Sequence, residues 1–362
     1  MQTLFFRYLM QPVSHQFGGV LARYDTDKTT CHTAPIVTPN ILAYTVLTAN
    51  HCRLDMTGMT GTTSKNKQLG IMTYIDNSQR MLEEFSWLYK SWIYSGCWKT
   101  SDLIVVHHPA LTNQLPREPG IVLISQESFS QHHPQFHDYP YINSIACLSG
   151  PHIDYIIQRY QWVLRTDADV FLTRHLANLT PLFPIHGRGN YHLNAKFREK
   201  MLDFCRRHGV EHRYSFGCGS SLLLRTELMI PFLQRQIYWC HKLIEEFGTD
   251  QANWGVWPEW CRGVLSMYAG EIAANERWDC YLRDSRERIL DVESEKSGLI
   301  DILTLHIHAT QYKVGFSKLR YHAGDYKDID PETLDRNRID HYCTWISLTP
   351  AKVIKKLSGY IW

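Results

Sequence analysis

The stretch Trp162-Val163-Leu164-Arg165-Thr166-Asp167-Ala168-Asp169-Val170-Phe171-Leu172-Thr173 decides how this chain is read. It opens on an apolar run of the kind a strand buried on both faces requires. It then delivers two carboxylates one residue apart and returns at once to Val170-Phe171-Leu172. Two acids at the carboxyl end of a buried strand are unfavourable unless a cation or hydrogen bonds compensate them. That end of the strand is also where open α/β sheets bind ligands. Hard divalent cations, Mg²⁺ or Mn²⁺, favour carboxylate oxygens. The pattern therefore predicts a metal site on Asp167 and Asp169. The competing structural reading has one Asp capping the next element and the other paired with Arg165 or Arg174.

The triplet alone proves little, because the chain holds two more. Asp25-Thr26-Asp27 and Asp328-Ile329-Asp330 both lie in polar surroundings and read as solvated loops. Only the central triplet follows an apolar strand.

Outward from it, Leu103-Ile104-Val105-Val106 and Ile121-Val122-Leu123-Ile124 are short continuous apolar runs, read as buried parallel strands. Ile41 to Ala49, inside Asn40–Asn50, is read as the first core strand, followed by a Gly/Thr/Met/Ser-rich loop over 53–70. Met81, Phe85, Leu88, Tyr89 and Trp92 recur at helical spacing within 78–95. Further helical stretches fall near 139–148 and 152–160, and over Leu228–Phe247. Ser221-Leu222-Leu223-Leu224 and Ile302–His308 look like later strands. Strands alternating with helices predict an α/β fold of Rossmann-like type, a mainly parallel sheet flanked by helices. Residues 1–39 read as an extension. Residues 40–362 read as one domain, divided near 175 and near 320, with a tail beyond.

Net charge of +2 and a pI near 8.0 create no field that would draw nucleic acid. The ten cysteines include no CxxC pair, which removes zinc-ribbon and thioredoxin-type readings and favours reduced thiols. No apolar run reaches the ~18 residues a membrane span needs, and Met1–Met10 is too short a run for a signal peptide. A cytoplasmic protein without an anchor is the expectation.

The segment from Trp162 to Thr173 resembles the DxD element of GT-A-fold, nucleotide-sugar-dependent glycosyltransferases. Other segments follow in that group's order. Thr48-Ala49-Asn50 resembles the turn that meets the nucleotide base, and Gly217-Cys218-Gly219-Ser220-Ser221 the segment lining the sugar and acceptor pocket. Gly248-Thr249-Asp250-Gln251 resembles the Asp-Gln pair beside the transferred sugar in several retaining families. His306-Ile307-His308, with Lys313 after it, resembles the late His…Lys segment of glycogenin-like enzymes, where the His completes the metal site and the Lys meets the phosphates. The set as a whole is also similar to glycosyltransferases of green algae and their large viruses.

The resemblance implies a Mn²⁺- or Mg²⁺-dependent transferase. It would move a sugar from a nucleotide-sugar donor, UDP-linked by preference and GDP-linked as the alternative, to a glycan or glycoprotein acceptor, with retention. Asp167, Asp169 and one of His306 and His308 would hold the ion. Arg165, Ala168 and Lys313 or Lys318 would line the diphosphate, and Gly219 and Ser220 the sugar. Asp250 and Gln251 would flank the anomeric carbon, or Asp250 would act as base in an inverting enzyme; its competing reading is an N-cap. Trp254, Trp257 and Trp260, three apart, offer an aromatic platform for an acceptor or, equally, core packing. A catalytically inactive sugar-binding relative is the alternative from another class. A haloacid-dehalogenase-type phosphatase fits less well, because bulky Phe171 stands where that group expects a small β-branched residue.

Overall fold

A computed structural model describes residues 67–213, 215–256, 260–277, 283–284 and 289–360. The expected extension over 1–39, the strand read within Asn40–Asn50, and Thr48, Ala49 and Asn50 lie outside these residues, as does Trp257. Along the chain run β1 (Leu69–Ile75), α1 (Gln79–Tyr94), β2 (Ser101–His107), β3 (Ile121–Ser125), α2 (Asn143–Ala146) and α3 (Pro151–Ile157). Then come β4 (Trp162–Arg165), β5 (Val170–Leu172), β6 (Ile185–Arg188), α4 (Ala195–Arg207), β7 (Cys218–Arg225) and α5 (Thr226–Phe247). The chain closes with α6 (Leu265–Arg277), β8 (Arg283–Asp284), β9 (Val292–Glu293), β10 (His306–His308), α7 (Lys318–His322), α8 (Ile339–Leu348) and α9 (Ala351–Ser358).

Seven strands form one sheet in the order β3-β2-β1-β4-β7-β6-β8. β3, β2, β1 and β4 are mutually parallel, and β7 runs against both β4 and β6. This is the expected α/β architecture, a mainly parallel sheet flanked by helices. Its central strand was not legible. All seven residues of β1 are buried, yet Gly70 and Thr73 interrupt its apolar run and a loop-like sequence precedes it. The strands read over 103–106 and 121–124 lie within β2 and β3, and Ser221–Leu224 lies within β7.

From β1 the chain adds β2 and then β3 on one side, and β4 returns to the other side of β1. The carboxyl ends of β1 and β4 therefore flank the switch point where a crevice opens in such sheets. Asp76 follows β1 there, and Thr166 and Asp167 follow β4.

A small second sheet, ordered β5-β10-β9, starts directly after the acids. β10 pairs antiparallel with β5 and parallel with β9. It is shorter than the strand read over Ile302–His308. Asp301 accepts the backbone N–H of Leu303 at 2.8 Å, and its carbonyl that of Thr304 at 2.9 Å, so a turn occupies 301–304.

Helix α1 supports this second sheet. Ser78 caps it, its Oγ accepting the N–H of Met81 at 3.4 Å. Fully buried Trp87 stacks on Phe171 of β5 at 5.5 Å and meets Phe316 and Tyr321 edge-on at 5.4 and 5.0 Å. The C-terminal helices pack behind it. Buried Lys90 of α1 donates to the carbonyls of Ser347 and Thr349 at 2.8 and 3.2 Å, and Tyr342 Oη to that of Leu172 at 2.6 Å. Among the described residues no helix is long and apolar enough to cross a membrane.

Trp87→Ala removes the ring that joins α1 to β5, and is expected to destabilise the fold by ~3–5 kcal/mol. A urea melt at neutral pH reads this as a lower midpoint; a loss below ~1 kcal/mol would show that β5 does not depend on the stack.

Candidate functional site

Pairing in the second sheet places the acids. His308 lies opposite Val170, and the N–H of Ala309 donates to the carbonyl of Asp169 at 2.9 Å. This register sets the His308 ring beside the Asp169 carboxylate, with Nε2 3.5 Å from Oδ2. One ligand atom each from Asp167, Asp169 and His308 lie within 4.8 Å of one another. Two carboxylates and an imidazole form a donor set suited to a divalent first-row ion or Mg²⁺, with coordination positions left for a ligand.

A cation from the chain itself already stands at this group. Lys318, which opens α7, points its Nζ at Asp169 Oδ2 in a short ion pair. Asp169 is buried, and burial alone would raise its carboxyl. The Lys318 ammonium, with His308, outweighs that effect and holds the carboxyl down to about 2. Burial likewise works to lower the Lys318 ammonium, but the facing carboxylate raises it above its ordinary value. Asp167 is more open, with 29% of its side chain exposed, and takes its partner from the strand before it. Arg165 reaches Asp167 Oδ1 with Nη2 at 3.1 Å. The same guanidinium donates to the Ser144 carbonyl and hydroxyl at 2.9 and 2.8 Å, and to the Ser220 carbonyl. Ala168, between the acids, is buried.

His306 is not part of the group of three. It is fully buried, and its Nδ1 accepts the backbone N–H of Asp291 at 3.2 Å. The proton therefore sits on Nε2, which donates to Ser221 Oγ at 2.7 Å; Thr166 Oγ1 lies 3.3 Å away. Burial lowers its pKa, in keeping with a neutral ring. With both nitrogens so engaged, His306 has no lone pair to offer an ion. Lys313 is exposed on the loop leading to Lys318.

Asp250 is exposed, and its Oδ1 accepts the N–H of Ala252 at 2.9 Å, capping the short 3₁₀ turn Gln251–Asn253. That is the N-cap geometry of its competing reading; Gln251 opens the turn. Trp254 does not form a platform. It is buried, 5.1 Å from Phe247 and stacked 6.3 Å from Trp260, with its indole N–H on the Gly248 carbonyl at 3.0 Å. The three-residue spacing delivers these two rings to the core. Gly219 and Ser220 stand at the start of β7, just before its pairing with β4 begins, where the Ser220 carbonyl accepts from Arg165.

Two acids escaped the sequence reading. Asp76, at the end of β1, accepts from Ser128 Oγ at 2.5 Å and from Asn143 Nδ2 at 2.7 Å, making a polar knot past the carboxyl end of that strand. Asp291 accepts from Ser221 N and Oγ at 3.1 and 2.6 Å. Each follows an apolar residue, Ile75 and Leu290, but neither stands in the strand–acid–acid–strand pattern that marks Asp167 and Asp169.

Fold and site together define an α/β protein with a carboxylate–imidazole cluster, of a make-up that could hold a metal ion, just past the switch point of its sheet. The chain belongs to the family described as Domain of unknown function (DUF7164), which it matches over residues 63–357. No curated protein matches the sequence. Similar solved structures include the apo form of the WbbM bifunctional glycosyltransferase, at 10% identity and TM-score 0.45, covering 82% of this chain and 53% of that one. This chain thus spans about half of WbbM. An active-site mutant of LgtC follows at 12% identity and TM-score 0.43, with 73% of this chain and 98% of that one covered. The apo glycosyltransferase GlyE of Streptococcus pneumoniae TIGR4 has 13% identity and TM-score 0.38, with 82% and 63% covered. All are distant likenesses of chain trace.

Metal-free protein in a chelator tests the Asp169–Lys318 pair. The Asp169 carboxyl is held below its ordinary 3.8, so its contribution is present above that value and fades as pH falls towards about 2. Lys318→Met leaves burial as the main influence, which raises the carboxyl. The variant is expected to be less stable than wild type by ~3–5 kcal/mol at neutral pH. The gap should narrow towards acidic pH as its uncompensated carboxyl takes up a proton. Denaturant melts at neutral and mildly acidic pH check this; a gap that does not change with pH would contradict it.

Proposed function

We propose that this chain is a metal-dependent glycosyltransferase of GT-A type. It would transfer a sugar from a nucleotide-sugar donor, UDP-linked by preference, to a hydroxyl of a glycan or glycoprotein acceptor. The observation that carries this reading is the meeting of Asp167, Asp169, His308 and Lys318 beside the switch point of the sheet. A site at that place would suit a nucleotide, and this donor set would suit a divalent ion that helps to hold a diphosphate.

The three side chains would hold Mn²⁺ or Mg²⁺. A bound ion supplies Lewis-acid stabilisation of the negative charge that develops on a departing nucleoside diphosphate. Lys318 supplies a second positive charge within the same partly desolvated space, where it counts for more than it would in water. Arg165 fixes Asp167 and ties it to Ser220, so the opposite wall of the crevice is held at a set distance from the acids. Asp76, with Ser128 and Asn143, offers polar groups on the far side of the switch point for the nucleoside. Retention is proposed on the resemblance of Asp250-Gln251 to the Asp-Gln pair of retaining families. The aromatic contacts of an acceptor would come from residues other than Trp254.

A thermal-shift series with Mn²⁺, UDP and GDP, alone and combined, is the first test. Nucleotide is expected to raise the Tm only when metal is present; at ~100 times Kd the stabilisation is ~2.7 kcal/mol. Asp169→Asn and His308→Ala should abolish the effect, and wild type should release free nucleotide from a sugar donor. No metal-dependent nucleotide effect, with Asp169→Asn indistinguishable from wild type, would sink the reading. Metal-dependent binding without nucleotide release would point to a binding protein instead.

A further inference from the structure

Two separate pieces of backbone carry the ligand cluster, and both lead back to one residue outside it. Asp167 is held by Arg165, whose Nη1 donates to the carbonyl of Ser220. The next residue, Ser221, donates its backbone N–H and its hydroxyl to the Asp291 carboxylate at 3.1 and 2.6 Å. On the other side, His308 and Asp169 are set by β10. Asp291 immediately precedes β9, the partner of β10, and its own N–H donates to His306, two residues before His308. His306 closes the circuit by donating to Ser221 Oγ at 2.7 Å.

The local structure is built around this side chain. Asp291 has φ 52°, the one non-glycine among the described residues in the left-handed region. Aspartate tolerates that region better than most residues, but still at an energetic cost. Its carboxylate, 7% exposed, fills the space that two glycines leave open. A Cβ on Gly187 would come within 1.6 Å of Asp291 Oδ2, and one on Gly219 within 2.3 Å. Strained backbone at a buried, fully engaged acid beside a site is where a structure holds a geometry it needs. This also accounts for Gly219, which lets β7 close on the carboxylate.

We infer that Asp291 is the positioning residue of the cluster, joining the Arg165–Asp167 arm to the β10 arm so that Asp167, Asp169 and His308 converge. It acts through Ser221 and His306 and touches none of the three ligand side chains. This rests on the reading that the cluster holds a divalent cation.

The test is a Mn²⁺ titration of the whole chain, following free ion by electron paramagnetic resonance, with the metal-free Tm of each variant beside it. Asp291→Gly accepts φ 52° without steric conflict, so it removes the carboxylate without adding backbone strain. It is expected to weaken Mn²⁺ binding by ~10–100-fold, the usual effect of losing a group that orients metal ligands. Asp291→Asn keeps an acceptor and tolerance of the left-handed region, and should recover most of that affinity. Ser221→Ala cuts the same link from the other side and is the second variant should Asp291→Gly not fold; it too should bind Mn²⁺ more weakly. Wild-type Mn²⁺ affinity in Asp291→Gly or Ser221→Ala, whatever the change in Tm, would overturn the inference and leave the metal site standing. No Mn²⁺ binding by the wild type would overturn both.

Discussion

A carboxylate shut away from water needs a cation nearby, and Asp169 has two candidates converging on it from one later stretch of chain. His308 arrives through the pairing of β10 with β5, and Lys318 through the loop that follows. Neither is near Asp169 in sequence. The ion pair and the three-strand sheet therefore depend on each other: without β10 the acid has no compensation, and without the acid Lys318 has no reason to be buried. An uncompensated buried charge is among the more destabilising defects a core can carry. The metal-free protein meets that demand with an ammonium. A divalent ion held by Asp167, Asp169 and His308 would meet it with a larger charge at the same place.

Much of the remaining molecule holds β5 still. Trp87 of α1 lies flat against Phe171, and Tyr342 of α8 donates to the backbone of Leu172. The C-terminal helices, read from sequence as a tail, pack against α1, and Tyr342 provides a hydrogen bond from them to the strand that leaves the acids. On the other side, the large sheet fixes Arg165 and Ser221, and through them the approach of β7. A displacement of either layer would be felt first at the ligand atoms.

The central acids were legible because their signal is local: an apolar strand, two carboxylates, and an apolar strand again. Asp76 and Asp291 carry no such pattern: each is a single acid after an apolar residue, and only the folded chain brings Asp291 to Ser221 and Asp76 to Ser128. β1 was missed because Gly70 and Thr73 break its pattern, although Gly70 packs against Tyr160 and Thr73 is buried in the sheet. Spacing could not separate His306 from His308, since residues two apart share a strand face. The separation comes from Asp291 and Ser221, which reach His306 from 15 and 85 residues away. Nor could it rank Lys313 against Lys318, because the loop between them decides which one turns inward. Trp254 shows the opposite limit: a three-residue period reads the same for a core face and an exposed one.

The central claim is that Asp167, Asp169 and His308 form one metal centre beside a diphosphate pocket. Anomalous diffraction at the manganese edge, from crystals grown with Mn²⁺ and a nucleoside diphosphate, tests it most directly. One ion bonded to all three side chains, with Lys318 moved from Asp169 towards phosphate oxygen, is the predicted result. Absence of an ion there, with Lys318 still seated on Asp169 in the presence of saturating Mn²⁺, would contradict it.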